Sequence, residues 1–140
     1  MQQTTINNDF LPKDPKLLPS EGQEQATLFS WAKMMDRLYP ELRLMFHVPN
    51  GGGRSKAEAG RFKMEGVKAG VPDIFLPVPR GNYHGMFIEM KKRKGGKVSA
   101  EQKVWLAELA EQGYFAVVAF GWEDASEQIR SYLDIGKCRA

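Results

Sequence analysis

The sequence predicts an α/β domain in which a small mixed sheet is flanked by helices. Three observations predict it. Segments with helical apolar spacing alternate with short β-prone runs, in the order helix, strand, helix, strand, strand, helix, strand, helix. Three of the four helical segments open on a serine with Gln or Glu three residues later: Ser20 and Gln23, Ser55 and Glu58, Ser99 and Gln102. That pattern is a capping box, in which the two side chains satisfy each other's backbone N–H groups. Finally, 140 residues with 42% apolar composition suffice for one hydrophobic core.

Residues 1–19 hold Gln, Asn, Thr and three prolines with little apolar periodicity, and read as a flexible arm. The single domain is expected over 20–135, with 136–140 as a frayed tail. After the Ser20 box, apolar residues recur at Leu28, Trp31, Ala32, Met35 and Leu38 on one helical face, and Tyr39-Pro40 ends the helix. Leu42–Val48 is expected as a strand. Pro49-Asn50-Gly51-Gly52-Gly53-Arg54-Ser55 follows. Its glycines allow close backbone approach, so its N–H groups with Arg54 and Lys56 could hold a phosphate; a plain connector is the equal alternative. It is not a Walker loop, because the closing Gly-Lys-Ser/Thr is missing. Ser55 opens a helix through about Met64 that carries Lys56, Arg61 and Lys63. Gly66 and Gly70 bracket the loop leading into Pro72-Asp73.

The stretch from Gly70 to Lys91 organises the chain. Two β-prone runs, Ile74–Val78 and Met86–Met90, are joined through the turn formers Pro79-Arg80-Gly81-Asn82, which predicts an antiparallel hairpin. Asp73 opens the first run; Glu89 and Lys91 close the second. Side chains alternate along a strand, so Glu89 and Lys91 share a face about 6–7 Å apart, while Ile88 and Met90 face a core. Antiparallel pairing sets Asp73 beside Glu89. Adjacent carboxylates repel, and both stay ionised most easily around a cation. Hard oxygen ligands select Mg²⁺ or Mn²⁺. Lys91 there can hold a water and help to deprotonate it, chemistry suited to phosphodiester hydrolysis. The competing reading makes Asp73 a strand cap and Glu89–Lys91 a solvated ion pair. The Pro-Asp on the neighbouring strand favours the site.

Lys92-Arg93-Lys94-Gly95-Gly96-Lys97 is a basic, glycine-containing loop suited to phosphate. The Ser99 helix follows, with Trp105, Leu106, Leu109 and Ala110 on its apolar face and Trp105 assigned to the core. Gly113 ends it. Tyr114–Phe120 is expected as a central or well-buried strand, and Glu123–Leu133 as the last helix.

The net charge of +3 is unevenly spread. Residues 51–97 hold eleven Lys/Arg against four Asp/Glu, whereas both flanking stretches are net acidic. A basic patch coinciding with the carboxylates suits a polyanion. The single cysteine, Cys138, excludes an intrachain disulfide, and with two distant histidines argues against structural zinc. No apolar run would span a bilayer and no signal-peptide pattern is seen, so a cytoplasmic protein with no membrane partner is expected.

At these residues the chain resembles the PD-(D/E)xK nuclease superfamily and, within it, the virus-type replication-repair nuclease domain, VRR-NUC. The matching pieces are V-P-N-G-G-G at 48–53, E-G-V-K-A-G-V-P-D at 65–73, F-I-E-M-K at 87–91 and S-A-E-Q-K-V-W at 99–105, over roughly residues 20–133. The resemblance implies a restriction-endonuclease-like core and a DNA endonuclease dependent on Mg²⁺ or Mn²⁺. It implies that Asp73, Glu89 and the carbonyl of Met90 hold the ion and that Lys91 positions the attacking water. An early-helix E-x-x-x-Q supplies a further ligand in the family. Glu21 and Gln25 match it, with Glu24 as the nearby competitor. Gln102 is implied to lie near the ion; its other reading is a cap for its own helix. The resemblance further implies backbone contacts from Asn50, Gly52, Arg54, Lys56, Arg61, Lys92, Arg93, Lys94 and Lys97. Branched DNA such as a four-way junction, a role in DNA repair, a homodimer and a phage or prophage source belong to the same implication. A non-catalytic nucleic-acid-binding module is the alternative. A nucleotide hydrolase built on the glycine loop ranks last.

Overall fold

In the computed structural model, which describes residues 13–49 and 55–137, helices begin where the serines place them. Ser20 Oγ accepts the Gln23 N–H at 3.2 Å, and Gln23 Oε1 accepts the Ser20 N–H at 2.8 Å. Ser99 and Gln102 repeat the exchange at 3.1 and 2.9 Å. The elements are α1 (Glu21–Met35), β1 (Phe46–His47), α2 (Lys56–Met64), β2 (Ile74–Leu76), β3 (Met86–Lys91), α3 (Ala100–Glu111), β4 (Phe115–Phe120) and α4 (Trp122–Leu133). They form one four-stranded mixed sheet ordered β1-β2-β3-β4. The first three strands are antiparallel, and β4 runs parallel to β3. A parallel pair needs a crossover, which α3 supplies.

Alternation along β3 sorts the two faces of the sheet. Met86, Ile88 and Met90 are fully buried in a core shared with Leu28 of α1 and with Ile129, Tyr132 and Leu133 of α4. Phe87, Glu89 and Lys91 take the opposite face. There Phe87 stacks on Phe75 at 4.3 Å, with Tyr114 meeting both rings edge-on. None of the described helices is long and apolar enough to cross a membrane.

Two strand expectations are corrected. Leu42–Val48 is not a strand throughout: Pro40–Leu44 is a 3-10 turn, and only Phe46–His47 joins the ladder. Pro40 presets the backbone for the turn, and the three-residue spacing buries Leu42 and Met45 together. The Tyr114–Phe120 run is an edge strand, not a central one. The C-terminal part of its outward backbone meets α4 side chains. Asp124 accepts the Phe120 N–H at 2.9 Å, and Gln128 donates to the Val118 carbonyl at 3.1 Å. Such covering blunts an edge that would otherwise pair with another chain. Of the arm read for 1–19, residues 1–12 lie outside the described residues, and Pro15–Leu17 form a short 3-10 turn. Cys138 and the rest of 138–140 also lie outside them.

The loop carrying Asp73 is held by α3. Trp105 Nε1 donates to the Ala69 carbonyl at 3.0 Å. Gly70 has φ +89°, and a Cβ there would meet Trp105 Cδ1 at 2.9 Å and the Glu101 backbone at 3.0 Å. Gly70→Ala is therefore expected to destabilise the protein by roughly 2–4 kcal/mol, through backbone strain plus overlap. Urea denaturation checks this; a loss within about 0.5 kcal/mol would contradict the packing.

Candidate metal centre

The β2–β3 register pairs Ile74 with Ile88, so Asp73 lies beside Glu89 one residue further along the ladder. Asp73 is fixed from both sides. Its Oδ2 accepts the Met90 N–H at 2.8 Å. Its carbonyl accepts the Val48 N–H at 2.7 Å and meets His47 Nδ1 at 2.8 Å. A carbonyl can only accept, so that imidazole nitrogen carries the proton.

Glu89 is 1% exposed. Its Oε1 accepts from Gln102 Nε2 at 2.9 Å and lies 3.4 Å from Lys91 Nζ. Its Oε2 is buried without a hydrogen-bond partner. Burial, then the charge of Asp73 and contact with it, push the Glu89 carboxyl up to about 8, against the pull of Lys91. The α1 N-terminus brings in the third acid. One carboxylate oxygen from each of Glu21, Asp73 and Glu89 falls within 4.8 Å of the others. Glu21 is also raised, first by burial of its head, with Asp73 adding to the shift and Lys91 and Lys92 opposing it. Three carboxylates, from α1, from the loop before β2 and from β3, converge near Lys91 and Lys92. An all-oxygen cluster with a buried, unpartnered carboxylate oxygen on one member fits a hard divalent cation.

Gln102 makes two contacts at once. Its Oε1 caps the Ser99 N–H while its Nε2 donates to Glu89. Glu21 and Glu24 separate: Glu21 joins the cluster, whereas Glu24 is fully buried and holds Arg93. Arg93, expected as a DNA contact, is drawn into ion pairs within the fold. Its side chain is only 13% exposed, with its guanidinium engaged by Glu24 and Glu123. Lys92, Lys94, Lys97, Lys56 and Arg61 are exposed. Lys92, Arg93 and Lys94 line a cleft of about 430 Å³ with Leu18, Pro19, Ser20 and Glu21. Asn50, Gly52 and Arg54 lie outside the described residues. Sequence reasoning missed His47 and the Glu24–Arg93–Glu123 group. Neither leaves a local signal, because each partner comes from a distant segment.

A four-stranded mixed sheet with flanking helices and acids gathered at one end of the β2–β3 hairpin is a restriction-endonuclease-like fold. A family model, the VRR-NUC domain, matches residues 16–122, and the chain belongs to that family of nuclease-type domains. It is also similar to the solved structure of a VRR_NUC domain protein, with 31% identity, a TM-score of 0.72, and coverage of 86% of this chain and 93% of that one. No curated protein matches it.

Proposed function

We propose that the protein is a divalent-metal-dependent DNA endonuclease that hydrolyses phosphodiester bonds. The observation carrying this reading is the three-carboxylate cluster within 4.8 Å, one member of which, buried Glu89, has an oxygen without a hydrogen-bond partner. Asp73, Glu89 and Glu21 hold the ion, joined by the carbonyl of Met90. Mg²⁺ or Mn²⁺ bound there supplies Lewis acidity toward a phosphoryl oxygen. Lys91 Nζ orients the attacking water and offsets negative charge developing on the phosphate. Gln102 fixes the Glu89 carboxylate through Oε1 and leaves Oε2 for the ion. Lys56, Arg61, Lys92, Lys94 and Lys97 hold the sugar-phosphate backbone, with Asn50, Gly52 and Arg54 of the glycine loop. Contacts to phosphate position DNA without reading its sequence, so selectivity is for structure. Family resemblance supports branched DNA, four-way junctions included, and a homodimer that would place two sites on a two-fold-symmetric substrate.

The test is a cleavage panel of single strands, duplexes, flaps and four-way junctions with Mg²⁺ or Mn²⁺. Wild type is expected to cut branched substrates, and Asp73→Ala and Lys91→Ala to lose about 10³-fold in rate. Undiminished cutting by either variant removes the assignment. Salt-sensitive binding without cleavage under any metal would instead make the protein a binding module.

A further inference from the structure

Arg93 sits in the basic run after β3, beside the acidic cluster, where an arginine invites a phosphate. Its Nε and Nη2 donors are already committed. Nε donates to Glu24 Oε1 at 2.8 Å. Nη2 donates to Glu24 Oε2 at 3.2 Å and to Glu123 Oε2 at 2.8 Å. Glu24 Oε2 also accepts the Trp122 N–H at 2.8 Å. It thereby caps α4, whose own N-cap residue, Gly121, has no side chain to do so. Gly121 in turn donates its N–H to the Lys91 carbonyl at 2.9 Å. One buried carboxylate and one guanidinium thus tie together the first turn of α1, the end of β3 and the start of α4. Fork-to-fork Arg–carboxylate pairing fixes orientation as well as distance.

Glu24 follows Glu21 by three residues, one turn along the same side of α1. Among the described residues, none donates a hydrogen bond to the Glu21 carboxylate. Its place over the cluster follows from the helix, and Glu24 ties the first turn of that helix to Arg93 and to the start of α4. We infer that Arg93 is a positioning residue rather than a DNA contact: acting through Glu24, it locks the first turn of α1 against the end of β3 and so places Glu21 over Asp73 and Glu89. The inference rests on the metal-dependent nuclease reading.

The experiment compares wild type, Arg93→Gln, the pair Glu24→Gln/Arg93→Gln, and Lys94→Gln. Three quantities are measured: Mn²⁺ affinity by calorimetry, the salt dependence of junction binding in chelator, and steady-state cleavage. Groups that orient metal ligands cost 10–100-fold when lost. Arg93→Gln is expected to weaken Mn²⁺ binding by about that factor, and to lower kcat by about 10²-fold with KM changed less than about threefold. Its salt slope stays at the wild-type value. Lys94→Gln is expected to show the reverse, with Mn²⁺ affinity unchanged and the salt slope reduced by about one. Wild-type Mn²⁺ affinity in Arg93→Gln, with a slope reduced by about one, overturns the inference and returns Arg93 to the DNA. Should Arg93→Gln fail to fold because Glu24 is left charged and unpaired, the double variant carries no such charge and decides the question. Weakened Mn²⁺ binding is expected of it, and wild-type affinity overturns the inference. A wild-type protein that binds no Mn²⁺ and cuts nothing sinks the nuclease reading instead, and this inference with it.

Discussion

Glu89→Gln is expected to abolish the proposed metal-dependent cleavage and to leave the metal-free protein at least as stable as wild type at neutral pH. The rate is expected to fall by about 10³-fold or more, because the substitution removes a charged ligand from the centre of the cluster. The stability result follows from the environment of the same side chain. Glu89 is 1% exposed and its carboxyl is raised to about 8, so without a cation it is mostly the neutral acid at pH 7. Glutamine has nearly that shape and charge. Its oxygen still accepts from Gln102, and its NH₂ presents a donor where the glutamate has an orphan oxygen beside another carboxylate. Above pH 8 the variant is expected to be the more stable protein, since it cannot ionise. Glu89→Ala is different. It leaves a cavity and strands Gln102, and should cost about 2–4 kcal/mol. Urea denaturation in chelator at pH 7 and pH 9, alongside cleavage assays, checks both halves. A loss above about 2 kcal/mol in Glu89→Gln at pH 7 would mean that Glu89 is held ionised by Lys91. That is the ion-pair reading, in which these residues serve the fold.

What could be read from the sequence is what local chemistry dictates. The Ser20 and Ser99 capping boxes depend on residues three apart, and both form as written. The meeting of Asp73 and Glu89 required only a hairpin and strand alternation, and the register supplies it. The β-prone composition of 42–48 misled because Leu42 and Met45 satisfy burial through a 3-10 turn as well as through a strand. The apolar run 115–120 suggested a central strand. At the edge, Asp124 and Gln128 occupy the C-terminal part of its outward backbone, an arrangement invisible until α4 is docked. Arg93 misled most. In sequence it belongs to a basic run, but its partner Glu24 lies 69 residues away, and only the packing of α1 against the end of β3 brings them together. Composition reports charge and says nothing of which charges are spent inside the molecule.

The metal-free protein is expected to lose stability as pH rises from about 5 to about 8, and a divalent cation should cancel that loss. The Glu89 carboxyl titrates near its ordinary 4.5 in the unfolded chain and at about 8 in the fold. Between those values the native state holds a proton that the unfolded state has released. Unfolding therefore becomes easier with each pH unit, by at most about 1.4 kcal/mol per unit. Below the unfolded value both states are protonated and nothing is lost; above about 8 both are ionised and the loss is complete. The total is on the order of a few kcal/mol, with the raised Glu21 adding in the same direction. Other carboxylates titrate too, so the quantity to measure is the difference between wild type and Glu89→Gln, in chelator, from pH 5 to pH 9. The difference should slope across this window and flatten above it. A cation takes the place of that proton. Mn²⁺ affinity should therefore rise about tenfold per pH unit up to about 8, with roughly one proton released per ion bound. Calorimetry in buffers of different ionisation enthalpy counts that proton directly. A stability difference that is flat from pH 5 to pH 8, or Mn²⁺ binding that releases no proton at pH 6, would show that Glu89 is already ionised in the fold. The crowding of acids would then be relieved by Lys91 alone, and the cluster would have no need of an ion.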